Sequence, residues 1–455
     1  MLKRSENHSK TSITAKLKLI LTPEQKAALD QTTLAYRDGL NYVSAVAFEN
    51  SKTTNQAKLH KLVYPTLRER YGLPSQMGCS VSRTVTAAYK TQWTKVKRAK
   101  AAKEAGRKVR RHKGLDHAPR FVSRTLTYVH GRDMTFKTGQ RVSIGTLKGR
   151  IVVPYEGYNK HLAWIQADAE VGESKLYYQK SHKQYYLLVS LEVDVGDTKP
   201  DQYAQAVGVD VGQRYLMTAA NPAGQALFVS GKQSRQRKDH YARLRRGLQQ
   251  KGTRSAKRRL MALEGRERRF TADVNHKTSY RVLKRFPQSV VGIEALDHFR
   301  DRTERRASNQ ASRKQKRANR RRNQWSFAEL HAMLGYKAPL YGSLLVKVDA
   351  DYTSQQCPTC GHTSRANRPK AGLLFACEEC AYKLHADLVG ARNVCMRTLL
   401  IQQDWIRTGR LSFAPDVSSD DAKAERLQRF SELRWSLALQ RQIAKSVSFR
   451  PCAGI

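Results

Sequence analysis

The stretch CPTCGHTSRANRPKAGLLFACEECAYKLHAD, residues 357–387, contains two Cys-x-x-Cys pairs. Cys357 and Cys360 form the first pair, and Cys377 and Cys380 form the second, with sixteen residues between the pairs. This spacing is typical of a four-cysteine zinc site, in which each tight turn presents two thiolates to the same ion. Because four protein ligands leave no open position on the ion, the spacing predicts a structural zinc. Two disulfides, or free cysteines in an ordinary core, are the alternative.

The composition is strongly basic. The chain of 455 residues has 84 Lys and Arg against 38 Asp and Glu, which gives a formal net charge of +46. Self-repulsion of this size is relieved when a polyanion binds, and nucleic acid is the commonest such partner. A membrane surface is the rival polyanion, but the sequence has no run of eighteen apolar residues and begins without the apolar stretch of a secretory signal. The other cysteines are scattered singly, as expected in a reducing cytosol: Cys79, Cys395 and Cys452.

Three acidic residues lie beside small residues on segments otherwise built for burial. Asp210 lies in AVGVDVG (206–212), where strand alternation puts the valines on one face and the glycines with the carboxylate on the other. Glu294 repeats this pattern in SVVGIEAL, and Asp387 begins a short helical pattern in HADLVGARNV. A carboxylate flanked by glycines leaves room for a metal ion and a phosphate backbone.

Convergence of these three acids is the sharpest hypothesis that the chain offers. Such a cluster cannot stay ionised and buried without cations, and two divalent ions about 4 Å apart would compensate it while activating water against a phosphodiester. The alternative is that each acid is separately a helix cap or a member of a salt bridge.

The segments before the acids suggest further elements. TPEQ at residues 22–25 supplies an N-cap, a proline and a capping-box glutamine for a long helix. Residues 120–195 contain short β-rich segments and predict a small β-barrel. Residues 206–229 predict a meander of three strands with two tight turns.

Dense basic segments predict contacts with nucleic acid. Residues 95–113 contain ten Lys or Arg among nineteen, and residues 302–322 contain ten Lys or Arg with a single Glu. We expect the second segment to be disordered until RNA or DNA binds. A flexible charged loop without a specific partner is the alternative for the first. The candidate nucleic-acid-binding residues are Arg83, Lys95, Lys97, Arg98, Arg235, Arg243, Arg320, Arg321 and Arg322.

These motifs, in their order and context, carry a family resemblance. GVDVG with Asp210, GIEAL with Glu294, the cysteine pairs preceded by YTSQQ, and HADLVGARNV with Asp387 resemble the split RuvC nuclease of the TnpB proteins. TnpB proteins are transposon-encoded RNA-guided DNA endonucleases related to miniature type V CRISPR effectors. The resemblance implies that the three acids hold two Mg²⁺ ions and that the four cysteines hold one Zn²⁺. It also implies cleavage of target DNA beside a short flanking motif.

The resemblance further implies a multidomain α/β protein with an RNase H-like (RuvC) core, an inserted zinc element, a helical recognition domain and a β-barrel wedge domain. The implied domains are 1–21 with 115–199 (wedge), 22–114 (recognition, with a basic arm), 200–356 with 381–400 (RuvC), 357–380 (zinc element binding the target strand) and 401–455 (helical tail). Residues 401–455 do not match the family pattern, and we expect an amphipathic helix there to pack on the nuclease. Self-association and contact with guide RNA are the alternatives for this segment. Ala350 stands where the pattern leads us to expect proline, with Asp349 and Asp351 beside it.

The implied partners are guide RNA and target double-stranded DNA, bound by a monomer or by a homodimer on one guide, with no membrane partner. The implied location is the prokaryotic cytoplasm, in association with the nucleoid. A CRISPR-associated miniature type V effector and a non-cleaving RNA-guided DNA-binding repressor are the alternatives. A structural ribosomal or chromatin protein would explain the charge, but it would have no reason to combine a zinc element with GVDVG and GIEAL.

Overall fold

The computed structural model describes most of the chain: residues 10–104, 106, 112–167, 169–180, 182–196, 199–296, 312, 316, 318–321, 325–369, 372–415 and 422–435. The chain divides into two compact units, Ser12–Val193 and Asp194–Ile455 with Met1–Thr11. Within the described ranges, no helix is long and apolar enough to cross a membrane.

The first unit combines three long helices with a sheet. The helices are α1 (Pro23–Glu49), α2 (Gln56–Glu69), α3 (Ser75–Glu104) and the shorter α4 (Asn159–Gln166). The capping box predicted before α1 is confirmed, since the Thr22 hydroxyl accepts from the Gln25 amide and the Gln25 side chain accepts from the Thr22 amide. Helix α3 contributes a buried stripe of Val81, Val85 and Tyr89.

The β-rich segments form one seven-stranded sheet in the order β2-β6-β7-β1-β5-β4-β3. Its strands are β1 (Lys10–Leu19), β2 (Thr125–Tyr128), β3 (Met134–Lys137), β4 (Arg141–Thr146), β5 (Gly149–Glu156), β6 (Glu170–Gln179) and β7 (Gln184–Asp194). Alternating burial along β7 shows that one face of the sheet packs inward. The strand content predicted for residues 120–195 is therefore confirmed, while closure into a barrel stays a prediction.

The second unit is built on a five-stranded mixed sheet in the order β10-β9-β8-β11-β12. Its strands are β8 (Gln205–Asp210), β9 (Tyr215–Ala220), β10 (Ala226–Ser230), β11 (Ser289–Glu294) and β12 (Leu344–Val348). The three-stranded meander predicted for residues 206–229 is confirmed, because β8, β9 and β10 pair antiparallel in sequence. Strand β11 lies parallel to both β8 and β12.

Helices and a small hairpin surround this sheet. The helices are α5 (Lys232–Lys251), α6 (Arg254–Arg285), α7 (Phe327–Leu340), α8 (Ala386–Thr408) and α9 (Ala422–Ser431), and the hairpin pairs β13 (Leu374–Ala376) with β14 (Lys383–His385). One sheet face buries Val207, Val209 and Val291 in a core with Phe286, the C-cap residue of α6, and Leu334 of α7. The alternation predicted for β8 and β11 is confirmed by this arrangement.

The opposite sheet face lies against α8, and two glycines allow the close approach. A methyl group on Gly208 would overlap the Ala391 carbonyl and the Cys395 amide, and one on Gly292 would lie 3.0 Å from Thr398 Cβ. The glycines next to the acids were expected to leave room for a metal ion and a phosphate. That reason was wrong for Gly208 and Gly292, because helix α8 occupies the space.

Replacing Gly208 with alanine should therefore destabilise the second unit. The added methyl group meets rigid backbone. The free energy of unfolding should therefore fall by at least the roughly 1–3 kcal/mol that overpacking a core costs. The matched control is Gly247→Ala in the middle of α5, where an added methyl group meets nothing within 4 Å. In that control the free energy of unfolding should rise by about 0.5–1 kcal/mol, because alanine has a higher helix propensity than glycine. Urea unfolding measures both changes, and a Gly208→Ala chain as stable as the wild type would contradict the packing.

Candidate active site

Two of the predicted acids end adjacent parallel strands. Asp210 is the last residue of β8 and Glu294 is the last residue of β11. The register pairs Val209 with Ile293, so both carboxylates leave the sheet at the same edge. Both side chains are half-buried.

The third acid reaches the same place from α8. Asp387 is the second residue of this helix, and Gly390 lies one turn later against Asp210. A methyl group on Gly390 would come within 3.2 Å of the Asp210 Cγ atom. The missing side chain at position 390 thus leaves space for the Asp210 carboxylate beside the first turn of α8.

The pKa of Asp210 reflects the closeness of the other two acids. Burial, followed by the negative charges of Glu294 and Asp387, holds the pKa of Asp210 well above its ordinary value. Burial likewise raises the pKa of Glu294, against a hydrogen bond of 2.5 Å from the Thr353 hydroxyl and the charges of nearby arginines. A proton or a cation must balance the negative charge of such a cluster.

Arg368, which the sequence motifs do not single out, supplies part of this compensation. Its Nη2 atom lies 4.0 Å from Asp387 Oδ1, and its charge lowers the pKa of both Asp210 and Glu294. The residue belongs to the segment between the two cysteine pairs, which the sequence presents as a basic loop. Only the tertiary contact shows that one of its arginines faces the acids.

The four predicted zinc ligands converge into one cluster. Within the described part of the chain, they are the only group of three or more His, Cys, Asp or Glu residues whose donor atoms all lie within 4.8 Å of one another. The Sγ atoms of Cys357 and Cys380 are 3.7 Å apart, and those of Cys360 and Cys377 are 3.5 Å apart. A tetrahedral ion with Zn–S bonds of about 2.3 Å requires sulfurs about 3.8 Å apart, whereas a disulfide requires about 2.05 Å. The cysteines are free thiols, so the disulfide alternative is wrong and the donor set fits zinc.

The carboxylates are arranged more openly than the thiols. They influence one another's charge, but they do not form a group with all donor atoms within 4.8 Å. Oxygen donors of this kind suit Mg²⁺, which keeps several waters and takes few protein ligands. The chemistry of these residues therefore fits a site for divalent cations of this kind.

The cysteine cluster packs directly on the start of α8. Cys357 and Cys377 share a small core with Phe375, Ala386 and Val389, and the last two flank Asp387 in the sequence. A change in the cysteine element would therefore be transmitted to the third acid.

His385 completes the first turn of α8. Its Nδ1 atom accepts a hydrogen bond of 3.3 Å from the Asp387 amide, as an N-cap. The rings of Tyr215 and Phe228 meet the imidazole edge-to-face with centroids 5.4 and 5.2 Å away. This packing fixes the orientation of the helix start and hence of Asp387.

The candidate nucleic-acid-binding residues fall into three groups. Exposed side chains lie along α3 and α5, namely Arg83, Lys95, Lys97, Arg98 and Arg243, while Arg235 of α5 is half-buried. Arg320 and Arg321 both pair with Asp239, at 2.9 and 2.7 Å, so part of their charge is already compensated. Arg322, together with most of the basic segment 302–322, lies outside the described residues.

Two family models match the chain. A model described as "Probable transposase" covers residues 187–300, and a "Cas12f1-like, TNB domain" model covers residues 327–394. The chain is 26% identical to "Putative RNA-guided DNA endonuclease InsQ" of Escherichia coli, over 64% of this chain and 72% of the relative. It is also 36% identical to the CRISPR-associated endodeoxyribonuclease Cas12f1 of Sulfoacidibacillus thermotolerans, over 16% of this chain and 17% of that protein.

Solved structures extend the likeness to the fold. The cryo-EM structure of CasPhi-2 (Cas12j) bound to crRNA covers 87% of this chain and 99% of its own, with a TM-score of 0.52 and 11% identity. This similarity concerns the fold alone. The family relationship that the acidic and cysteine motifs predict is supported by the family models and the curated relatives. The two family models and the two named relatives support the assignment of this chain to the TnpB family.

Proposed function

We propose that this protein is an RNA-guided DNA endonuclease that cuts target DNA beside a short flanking motif. The observation that carries the proposal is the convergence of Asp210, Glu294 and Asp387 from two parallel strand ends and a helix start. The relatives named as RNA-guided or CRISPR-associated DNA endonucleases support the same activity. Guide RNA and target DNA are the partners in this proposal, and base pairing supplies the sequence specificity.

The three acids would hold two Mg²⁺ ions, which when bound activate a water molecule and stabilise the leaving oxygen of a phosphodiester. The charges of both other acids raise the pKa of Asp210, and Gly390 near the start of α8 lies against it, so we assign Asp210 as the shared ligand. Glu294 is oriented by the Thr353 hydroxyl, and Asp387 is oriented by the cap of α8. Arg368 faces the same cluster and would bind a non-bridging oxygen of the scissile phosphate.

Exposed basic side chains on each unit would bind the phosphate backbone of nucleic acid. In the first unit these side chains lie along α3, and in the second unit Arg243 lies on α5. A net charge of +46 gives these contacts a strong dependence on salt.

The presence of all three acids favours a nuclease over a non-cleaving DNA-binding repressor. A protein that only binds DNA would gain nothing from a cluster that raises the pKa of its own carboxylates. The source of the guide separates a transposon-encoded nuclease from a CRISPR-associated effector.

The proposal is tested by expressing the chain with its native locus, sequencing the RNA that co-purifies and adding a matching DNA library with Mg²⁺. A discrete RNA should appear, and DNA matching one end of that RNA should be cut beside a fixed motif. Bound but uncut DNA would favour the repressor, and the absence of a discrete RNA would contradict the guide.

Substituting Asp210, Glu294 or Asp387 with alanine should lower the cleavage rate at least about 10³-fold, because each metal contact contributes several kcal/mol to the transition state. Binding of guide RNA should be unchanged in each variant. The matched control is Asp201→Asn, an exposed carboxylate of the same unit. Any of the three variants that cuts at the wild-type rate would remove that residue from the site.

In EDTA, Asp210→Asn should make the protein more stable at high pH. The pKa of Asp210 is raised well above its ordinary value of 3.8, so folding loses stability as pH rises from that value through the folded pKa. Asparagine carries no charge and escapes this loss. The melting temperature of the variant should therefore rise near pH 8, by about 2–4 °C for each kcal/mol gained in the free energy of unfolding. It should barely change near pH 4. A variant that melts lower than the wild type near pH 8 would contradict the burial of an uncompensated carboxylate.

Elemental analysis should find about one zinc per chain, held by the four thiols. Cys380→Ser should lose the zinc and lower the melting temperature, because the cysteine element and the start of α8 share one core. Cys79→Ser, in α3 of the other unit, is the control that should keep the zinc. Retention of zinc by the Cys380→Ser chain would show that the metal lies elsewhere.

A further inference from the structure

The tail helix α9 is tied to the turn that follows β12. Arg426 donates two hydrogen bonds to the Asp349 carboxylate, from Nε to Oδ2 at 2.7 Å and from Nη2 to Oδ1 at 3.4 Å. Both side chains are buried, with 5% and 7% of their surface exposed. One turn earlier in the helix, Lys423 pairs with Asp351 at 2.9 Å. The two acids that flank Ala350, where the family resemblance suggested proline, are thus the anchor points of the tail.

A second contact joins the end of α9 to the same turn. Phe430 is 1% exposed, and its carbonyl accepts a hydrogen bond of 2.7 Å from the Gln356 side chain. The guanidinium of Arg397 lies 4.5 Å from the Phe430 ring centroid and donates to the Asp349 carbonyl. Arg397 is itself 2% exposed, so this contact is part of the interior.

The turn held by these contacts carries the group that orients Glu294. Thr353 lies in the middle of it and donates the hydrogen bond of 2.5 Å to the Glu294 carboxylate. Asn393 of α8 fixes the turn from the other side, donating to the carbonyls of Thr353 and Gln356 at 2.7 and 2.8 Å. Contacts therefore run without a gap from Arg426, through Asp349 and the turn, to Glu294.

We propose that helix α9 is a clamp that positions Glu294, with Arg426 as its principal positioning residue. The inference rests on the proposed function, in which Glu294 is a metal ligand. Removing the Arg426 charge leaves Asp349 buried without its partner, and the turn must move to hydrate it. Thr353 moves with the turn, and Glu294 loses its fixed orientation.

Two single variants and their combination test the clamp: Arg426→Gln, Asp349→Asn, and both together. The matched control is Arg429→Gln in the same helix, where Arg429 is 59% exposed and pairs with Glu432. For each full-length chain, four quantities are measured: the melting temperature, guide RNA binding, the Mg²⁺ concentration for half-maximal cleavage, and the Kd for Tb³⁺ without nucleic acid. Tb³⁺ serves as a luminescent probe of the carboxylate site.

Arg426→Gln should raise the Mg²⁺ midpoint and the Tb³⁺ Kd about tenfold, as expected when a group that orients a metal ligand is lost. Arg429→Gln should match the wild type. Because Asp349 and Arg426 act as one pair, the loss of metal affinity in the double variant should be no larger than that in the worse single variant. Guide RNA binding should not change.

Three results would overturn the clamp. The first is an Arg426→Gln chain that melts lower but keeps the wild-type Mg²⁺ midpoint and Tb³⁺ Kd, which would make the helix a structural brace only. The second is a double variant whose loss of metal affinity equals the sum of the losses in the two single variants. The third is a wild-type chain whose bound Tb³⁺ is unaffected by Glu294→Gln, which would leave the clamp without a metal ligand to position.

Failure of the proposed function gives a different result. If the wild-type chain cuts no DNA, the nuclease proposal fails, and the Tb³⁺ measurement still decides the clamp. If Arg426→Gln does not fold, Arg426→Lys keeps the charge but loses the two-point grip. It should shift the Tb³⁺ Kd in the same direction by a smaller factor, and an unchanged Kd would overturn the proposal.

Discussion

The close packing of α8 on the parallel strands β8 and β11 is the constraint on which the candidate site depends. Gly208 and Gly292 permit it, because side chains at these positions would strike the helix. The same helix carries Asp387 in its first turn, so the approach that buries the sheet also brings the third acid to the strand ends. Gly390 then leaves the space that Asp210 needs. Loss of this packing would separate the three carboxylates even if every acid were retained.

Crowding three carboxylates is unfavourable, and the surrounding residues show how the chain supports it. Arg368 faces the acids from the cysteine element, and the buried Arg397 is balanced by Glu294, Asp349 and Asp351, with its pKa lowered by burial to about 10. Arg368, between the two cysteine pairs, thus lies near Asp387, whereas the tail helix contacts the turn whose Thr353 orients Glu294. In this account, the zinc element supports Asp387 and the tail supports Glu294, while metal ions complete the compensation of Asp210.

Periodicity and motif spacing were sufficient to predict the meander, the strand positions of Asp210 and Glu294, and the grouping of the four cysteines, because each depends on residues close in sequence. The reason for the glycines at 208 and 292 was wrong, since alternation shows which face a glycine occupies but not what packs there. Arg368 and the pairing of Arg426 with Asp349 could not be found, because both join segments distant in sequence. The amphipathic pattern of the tail favours packing on the nuclease over self-association or contact with guide RNA, but it does not show where the helix packs. The buried pair of Arg426 and Asp349 shows that place.

The central claim is that three carboxylates hold two catalytic metal ions at the end of this sheet. Anomalous diffraction from crystals of the protein soaked in Mn²⁺ tests it most directly, because the zinc and manganese edges can be separated. We predict two manganese peaks about 4 Å apart, both touching Asp210, with Glu294 on one ion and Asp387 on the other. Peaks confined to the cysteine cluster, or manganese bound away from these three residues, would contradict the account.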